Sequence, residues 1–269
     1  MRNGLATAAL AATATVALET VATAGLAGSA AGDAAGAPTH ALRLSEIRVD
    51  QQGADTDEYF EVSGRPTASL AGIWFLAIGD SGTDPGGVVE AAIDLSAWSL
   101  GPNGRLVARE ASFGSTTFGG AALSVHADAT DAVVGKGDSI NLENSDSVTY
   151  LLVRQFTGSA GADLDADNDG TLDGTPWAEL LDAVAFVRAG AAEPVYASVR
   201  VGPVQLSATG GMPPHAWLAD DGWRVGEYGS WSADTPGAPP AVPAPGAAAT
   251  LAAAATLAAA RPRRRDRGA

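Results

Sequence analysis

The stretch Leu42-Arg43-Leu44-Ser45-Glu46-Ile47-Arg48-Val49 decides the fold. Bulky apolar residues alternate with polar ones over 42–44 and again over 47–49, and the phase slips by one residue at Ser45-Glu46. Period two marks a strand, and a slip within it predicts a bulge. Working outward, further strand candidates lie at 58–62, 73–78, 105–109, 122–126, 147–156, 182–188 and 196–199. Turn-rich clusters such as Asp80-Ser81-Gly82-Thr83-Asp84-Pro85-Gly86-Gly87 separate them. No long stretch of the middle holds a helical apolar period, and no fixed-period repeat is found. Many short strands between turn signals predict an all-β sandwich or barrel. About 200 residues are enough for one two-sheet core, so one domain is expected over 41–240.

Composition narrows the function. The chain has 269 residues, 33 Gly, 15 Pro and no Cys, and its formal net charge is −15. Without Cys there is no disulfide framework, thiolate metal site or cysteine nucleophile. Three His leave little for a His-rich metal centre. The acidity argues against nucleic acid as a partner, because a polyanion is repelled. Residues 25–245 keep 29 of the 31 acids and 10 of the 16 bases, a net charge of −19, and Lys136 is the sole Lys.

The two ends read as addresses. Met1-Arg2-Asn3 is followed by an uncharged Ala/Leu/Val/Thr stretch over 5–18, and Ala22-Thr23-Ala24 offers a small-x-small cleavage site. Positive, apolar, small is the order of a secretory signal, assigned to 1–24, although Gly28-Ser29-Ala30 fits a cut as well. An Ala-rich extension is the alternative. Residues 25–40 read as a flexible lead-in. At the other end, Val242-Pro243-Ala244-Pro245-Gly246 leads into Ala, Leu and Thr only over 247–260, and then into Arg261-Pro262-Arg263-Arg264-Arg265. As a helix this 14-residue run rises about 21 Å, against roughly 30 Å of hydrocarbon, so it is a marginal anchor. The Arg cluster would face the cytoplasm.

That C-terminal arrangement resembles the PEP-CTERM protein-sorting signal of bacterial surface proteins. Pro243 and Pro245 match its two prolines and Arg263, Arg264 and Arg265 its basic end, while Ala244 stands where Glu is usual. The resemblance covers 241–269 and implies export machinery and a membrane sorting protease, an exosortase, as partners. A Pro-Ala tail with a basic tip is the alternative.

The middle has a motif order of its own. Leu44-Ser45-Glu46-Ile47-Arg48 is followed by Asp57-Glu58-Tyr59-Phe60-Glu61-Val62, then by Leu95-Ser96-Ala97-Trp98, and at the end by Thr235-Pro236-Gly237. This order is similar to that of the lamin-tail (LTD) domain family in its bacterial secreted form. The resemblance spans roughly 42–240 and is loose over 127–200, where an insertion is expected. It implies an immunoglobulin-like β-sandwich with a structural or adhesive role.

One loop carries sharp chemistry. In Asp163-Leu164-Asp165-Ala166-Asp167-Asn168-Asp169-Gly170-Thr171-Leu172-Asp173, counting from Asp165 puts acids at positions 1, 3 and 5. Gly170 falls at 6, the Thr171 carbonyl at 7 and Asp173 at 9. This is the first three-quarters of an EF-hand-type Ca²⁺ loop. Carboxylates this close repel unless a hard cation sits among them. Asp165, Asp167, Asp169, Thr171 and Asp173 are therefore the candidate ligands of a structural Ca²⁺. Position 12 is Pro176, so the closing ligand is missing; Glu179 or Asp182, from one helical turn over 177–181, or Asp163 could replace it. A solvated acidic turn is the competing reading.

The other candidates are weaker. Glu46, Glu58 and Glu61 could serve acid–base chemistry or a metal, but period two puts Glu58 and Glu61 on opposite faces of one strand, which favours structural roles. Ser124, His126 and Asp128 hold the atoms of a triad, yet alternation along a strand does not place them in series. His40 and His215 read as surface residues. Trp74, Trp98, Trp217, Trp223 and Trp231 read as packing residues before they read as a carbohydrate platform. Two functions follow. One is an exported, non-enzymatic surface or matrix protein, with extracellular polysaccharide or surface proteins as partners. The alternative is a secreted metal-dependent hydrolase acting on phosphodiesters or glycans.

Overall fold

The computed structural model describes residues 41–239, apart from 82–83, 137–139, 141, 191 and 206–209. The segment 1–24 expected to be a signal peptide, His40, and the expected sorting motif of Pro243, Ala244, Pro245, Arg263, Arg264 and Arg265 with its hydrophobic run lie outside the described residues.

The described residues form thirteen strands and no helix: β1 Arg43–Arg48, β2 Tyr59–Ser63, β3 Ile73–Ser81, β4 Asp84–Asp94, β5 Arg105–Arg109, β6 Thr117–Phe118, β7 Ala121–Ala122, β8 Thr130–Val133, β9 Val148–Arg154, β10 Glu179–Phe186, β11 Arg200–Val201, β12 His215–Ala219 and β13 Gly222–Val225. The first sheet has the order β13-β12-β1-β2-β5-β8, the second β11-β10-β9-β3-β4, and β6-β7 stand apart. Most pairings are antiparallel, and each large sheet takes a parallel strand at one edge, β8 on β5 and β11 on β10. The slip at Ser45 is a bulge, with register passing from Leu44 opposite Val62 to Glu46 opposite Glu61.

The bulge has a physical purpose. It turns Leu44 and Ile47 of β1 into the space between the sheets, together with Phe60 and Val62 of β2. From the other sheet come Ile73, Phe75, Val148, Tyr150, Leu152, Val184 and Phe186. Phe60 stacks on Phe75 across the interface, with centroids 3.7 Å apart and planes 7° from parallel. Truncating either ring would cost about 3–5 kcal/mol. The architecture is thus a two-sheet β-sandwich.

Both outer faces are covered as well, so β2 and β9 read as continuous buried runs instead of alternating ones. On the second sheet, Leu76, Ile78, Val89, Leu151 and Val153 pack under Phe156, Leu164, Leu172, Trp177 and Tyr196. These covering residues come from the two segments flanking β10. On the first sheet, Tyr59 and Val107 pack under Phe113, Leu123, Val125 and Trp231.

Several expected elements are displaced. β4 begins at Asp84, inside the cluster that reads as a turn. Its glycines let other chain segments lie close: a Cβ on Gly86 would stand 2.4 Å from the Pro194 ring, and the Gly87 carbonyl accepts from Leu164 N at 2.9 Å. The strand expected at 122–126 is reduced to Ala122 in β7, and its remainder lies as a cover with Leu123 turned inward. At 196–199 the chain serves the outer layer, with Tyr196 turned to Asp165, and the strand starts at Arg200. The helical turn expected at 177–181 is the start of β10, because Glu179 to Phe186 pair along β9.

Candidate functional site

The acidic loop leaves the second sheet after β9 and returns in β10. Leu164 and Leu172 anchor it on the outer apolar layer, and Asp173 N donates to Leu164 O at 2.7 Å, closing the loop at its base. Asp165 sits inside it with no exposure. Its Oδ1 accepts from Asp169 N at 3.2 Å; its Oδ2 accepts from Gly170 N at 3.0 Å and from the Tyr196 hydroxyl at 2.7 Å. Asp167 Oδ1 accepts from Asp169 N, Asp169 Oδ1 from Thr171 N, and Asp173 Oδ2 from Ala166 N. Asn168 and Gly170 take left-handed backbone, with φ of 57° and 85°, and this folds the chain back over the carboxylates. Asp165, Asp167 and Asp173 each offer an oxygen within 4.8 Å of the others, an all-oxygen donor set suited to a hard cation.

The suggested closing ligands lie elsewhere. Glu179 pairs with Arg154 at 3.0 Å on the strand surface. Asp182 Oδ2 accepts from Leu44 N at 2.8 Å, joining β10 to β1. Asp163 does stay with the loop, where its Oδ1 accepts from Asp165 N at 2.9 Å.

A second constellation joins residues far apart in sequence. Glu46 Oε1 accepts from the Tyr59 hydroxyl at 2.7 Å, from His215 Nε2 at 2.9 Å and from Thr235 N at 2.8 Å. Its Oε2 accepts from Thr235 Oγ1 at 2.9 Å. Beside it Glu61 accepts from Ser45 Oγ at 2.5 Å, from Gly237 N at 2.7 Å and from Arg105. Burial pushes the Glu61 carboxyl up to about 7, while the Arg105 guanidinium pulls against it. Arg48 grips Asp234 with Nε at 2.5 Å and Nη2 at 2.6 Å, and its guanidinium lies 4.6 Å from the centre of the Trp231 ring. The separated segments 44–48, 58–62 and 235–237 thus meet: two glutamates of neighbouring strands hold the Thr-Pro-Gly segment down. We refer to this arrangement as the clasp.

The clasp reorders the candidates. Glu46 and Glu61 are adjacent across β1 and β2, whereas Glu58 turns to one end of the sandwich, where burial and its neighbours Asp55 and Glu110 push its carboxyl up to about 9. His215 is wholly buried, not a surface residue, because β12 lies beside β1 and Gly226 leaves room for its ring. Glu46, His215 and Asp234 have metal-like spacing, yet Arg48 already neutralises Asp234 and four donors meet Glu46. Ser124 and His126 are exposed, and His126 Nδ1 accepts from Asp128 N at 3.2 Å, so the three form a local turn and no relay. The tryptophans are spread through the packing: Trp217 against His215, Trp223 against Phe186, Trp231 under Arg48, Trp74 against Phe156. Arg48, Tyr59, His215 and Asp234 escaped sequence reasoning, because their partnership depends on pairing β12 with β1 over more than 160 residues. Family models, curated proteins and solved structures were all compared with the chain, and none matches it.

Proposed function

We propose that this chain is an exported, non-enzymatic bacterial surface or extracellular-matrix protein, structural or adhesive, whose Asp-rich loop holds a structural Ca²⁺. The observation that carries the reading is the loop itself: a wholly buried Asp165 ringed by backbone donors, with Asp167 and Asp173 oxygens within 4.8 Å. The loop also forms part of the cover of the second sheet through Leu164 and Leu172. A cation there would neutralise the acids and lock that cover, a role suited to an extracellular setting rich in Ca²⁺. The sealed position of Glu46, His215 and Asp234, wired to donors, supports a scaffolding use of those residues in place of a reacting one. In this reading the lamin-tail-like sandwich is the delivered body, and the PEP-CTERM-like end holds it at the membrane until a sorting protease passes it outward.

Thermal unfolding with and without a chelator tests the metal. For a site with a dissociation constant near ~10⁻⁴ M, about 2 mM free Ca²⁺ contributes about 2 kcal/mol, a rise of roughly 4–7 °C in a domain of this size. Asp165→Ala with Asp167→Ala should remove the loop's share of that rise. Equal melting temperatures in Ca²⁺ and chelator would remove the metal from the reading. Intact-mass analysis of the protein from its own host tests export, which an unprocessed chain retaining Met1 and Ala269 would contradict.

A further inference from the structure

A different group of acids gathers at one end of the sandwich, on β3, β4, the segment entering β9 and the segment leaving β10. Asp80, Glu90 and Asp146 each place a carboxylate oxygen within 4.8 Å of the others. Asp146 is 3% exposed; its Oδ2 accepts from Asp80 N at 3.2 Å, and its Oδ1 is buried without a partner. Glu90 Oε2 and Glu193 Oε2 are also buried without partners. Among the described residues none of these acids enters an ion pair. The charges acting on Glu90 come from Asp146, Glu143 and Asp80, all negative.

A second, independent feature points into the same place. The Tyr150 hydroxyl is wholly buried and has no hydrogen-bond partner, although a buried hydroxyl is expected to find one. Glu90, Glu58, Asp146 and Glu143 are the charges that bear on it, which places the hydroxyl beside the acids. The backbone is shaped for the cluster too. Glu90 is the bulge residue of β4, skipped between Val89 opposite Ile78 and Ala91 opposite Ala77. Its carboxylate lies over Gly79, where a Cβ would come within 2.6 Å of it.

We propose that Asp80, Glu90 and Asp146, with Glu193 beside them and the Tyr150 hydroxyl beneath, form a second divalent-cation site that takes Ca²⁺. Uncompensated carboxylates in a dry place must either take up protons or enclose a hard cation. Burial first, and neighbouring acids after it, push Glu90 up to about 8 and Asp146 up to about 7. All-oxygen donors drawn from separate segments suit Ca²⁺, which takes six to eight oxygens in flexible geometry, better than Mg²⁺. The bound ion would tie β3, β4 and the entry to β9 to the strap at Glu193, which continues to Tyr196 and the acidic loop. The proposal stands independently of the loop site.

The test is Ca²⁺ binding stoichiometry of the full chain by calorimetry, starting from metal-free protein. Two ions per chain are expected for the wild type and one for Asp165→Ala/Asp167→Ala, with one also for Glu90→Gln/Asp146→Asn. A wild type that binds one ion with a loop variant that binds none overturns the second site and leaves the loop reading intact, and a wild type that binds none overturns both. A wild type that binds one ion, lost in Glu90→Gln/Asp146→Asn and kept in the loop variant, supports the second site and overturns the loop. Unchanged stoichiometry in a folded Glu90→Gln/Asp146→Asn protein also overturns the second site. If that variant fails to fold, Glu193→Gln in the loop-variant background is read instead. At least tenfold weaker binding is expected there, and unaltered affinity overturns the proposal.

Discussion

The clasp and the acidic end are built from the same raw material, buried carboxylates on adjacent strands, and solve it in opposite ways. In the clasp each carboxylate has its donors: Tyr59, His215 and Thr235 for Glu46, Arg48 for Asp234, and Ser45, Gly237 and Arg105 for Glu61. At the acidic end Glu58, Glu90, Asp146 and Glu193 each keep a buried oxygen without a partner, and Asn144 bridges the 143–146 segment to the β1–β2 loop by donating to Asp55 at 3.1 Å. Burial and neighbouring acids raise Asp55 to about 7 and Glu58 to about 9. The contrast teaches that burial does not settle the fate of an acid; the donors around it do. A matched cluster fastens chain segments, and an unmatched one waits for protons or a cation.

The largest effect should come from turning the clasp into a copy of the acidic end. Arg48→Met keeps the length of the side chain but leaves Asp234 buried and unpaired, and should destabilise by about 3–5 kcal/mol in urea unfolding. A loss under about 1 kcal/mol would mean that the clasp and the acidic end do not differ in kind. Opposite in sense, and spread over several pH units, is the response of Glu58. Its folded value, about 9, lies above its ordinary 4.5, so the folded form holds a proton that the unfolded chain releases. Its stabilising contribution is full below about 4.5 and is lost as pH rises to about 9, with a slope of at most about 1.4 kcal/mol per pH unit. Glu58→Gln should flatten that part of the stability–pH curve and melt higher than the wild type at pH 8. A parallel curve would show that Glu58 is no part of the uncompensated end. The smallest effect belongs to the exposed pair of Arg154 and Glu179, 41% and 56% exposed. Arg154→Ala should change stability by no more than about 0.5 kcal/mol, the scale against which the clasp is judged.

The strands that could be read from the sequence were those with bulky alternation or long apolar runs. Those at 58–62, 73–78 and 105–109, and the run at 147–156, fall on β2, β3, β5 and β9, and the phase slip at Ser45 is the bulge. β12 and β13 went unread because His215 to Ala219 carry no alternation and follow two prolines, and the alternation of Trp223-Arg224-Val225 is confined to three residues after Asp220-Asp221-Gly222. The start of β4 was hidden by its glycines, which read as turn residues until the segments packed against them are known. Within the candidate site, the gathering of Asp165, Asp167 and Asp173 was legible because the loop is local, with its carboxylates spaced along one short stretch. The displacement of Glu179 and Asp182 was not, since they belong to a strand that carries them away from the loop.

Chain order by itself determined what depends on neighbours: the all-β texture, the strongly acidic middle, the absence of thiol chemistry, the Asp loop, and two ends that read as signals. Tertiary structure alone decided which acids became partners. Glu46 and Glu61 hold Thr235 and Gly237, while Asp80, Glu90 and Asp146 meet with no counter-charge among the described residues. The reason is physical: strand periodicity sets the face a side chain takes, but the donor that meets it there comes from whichever distant strand the sandwich lays alongside.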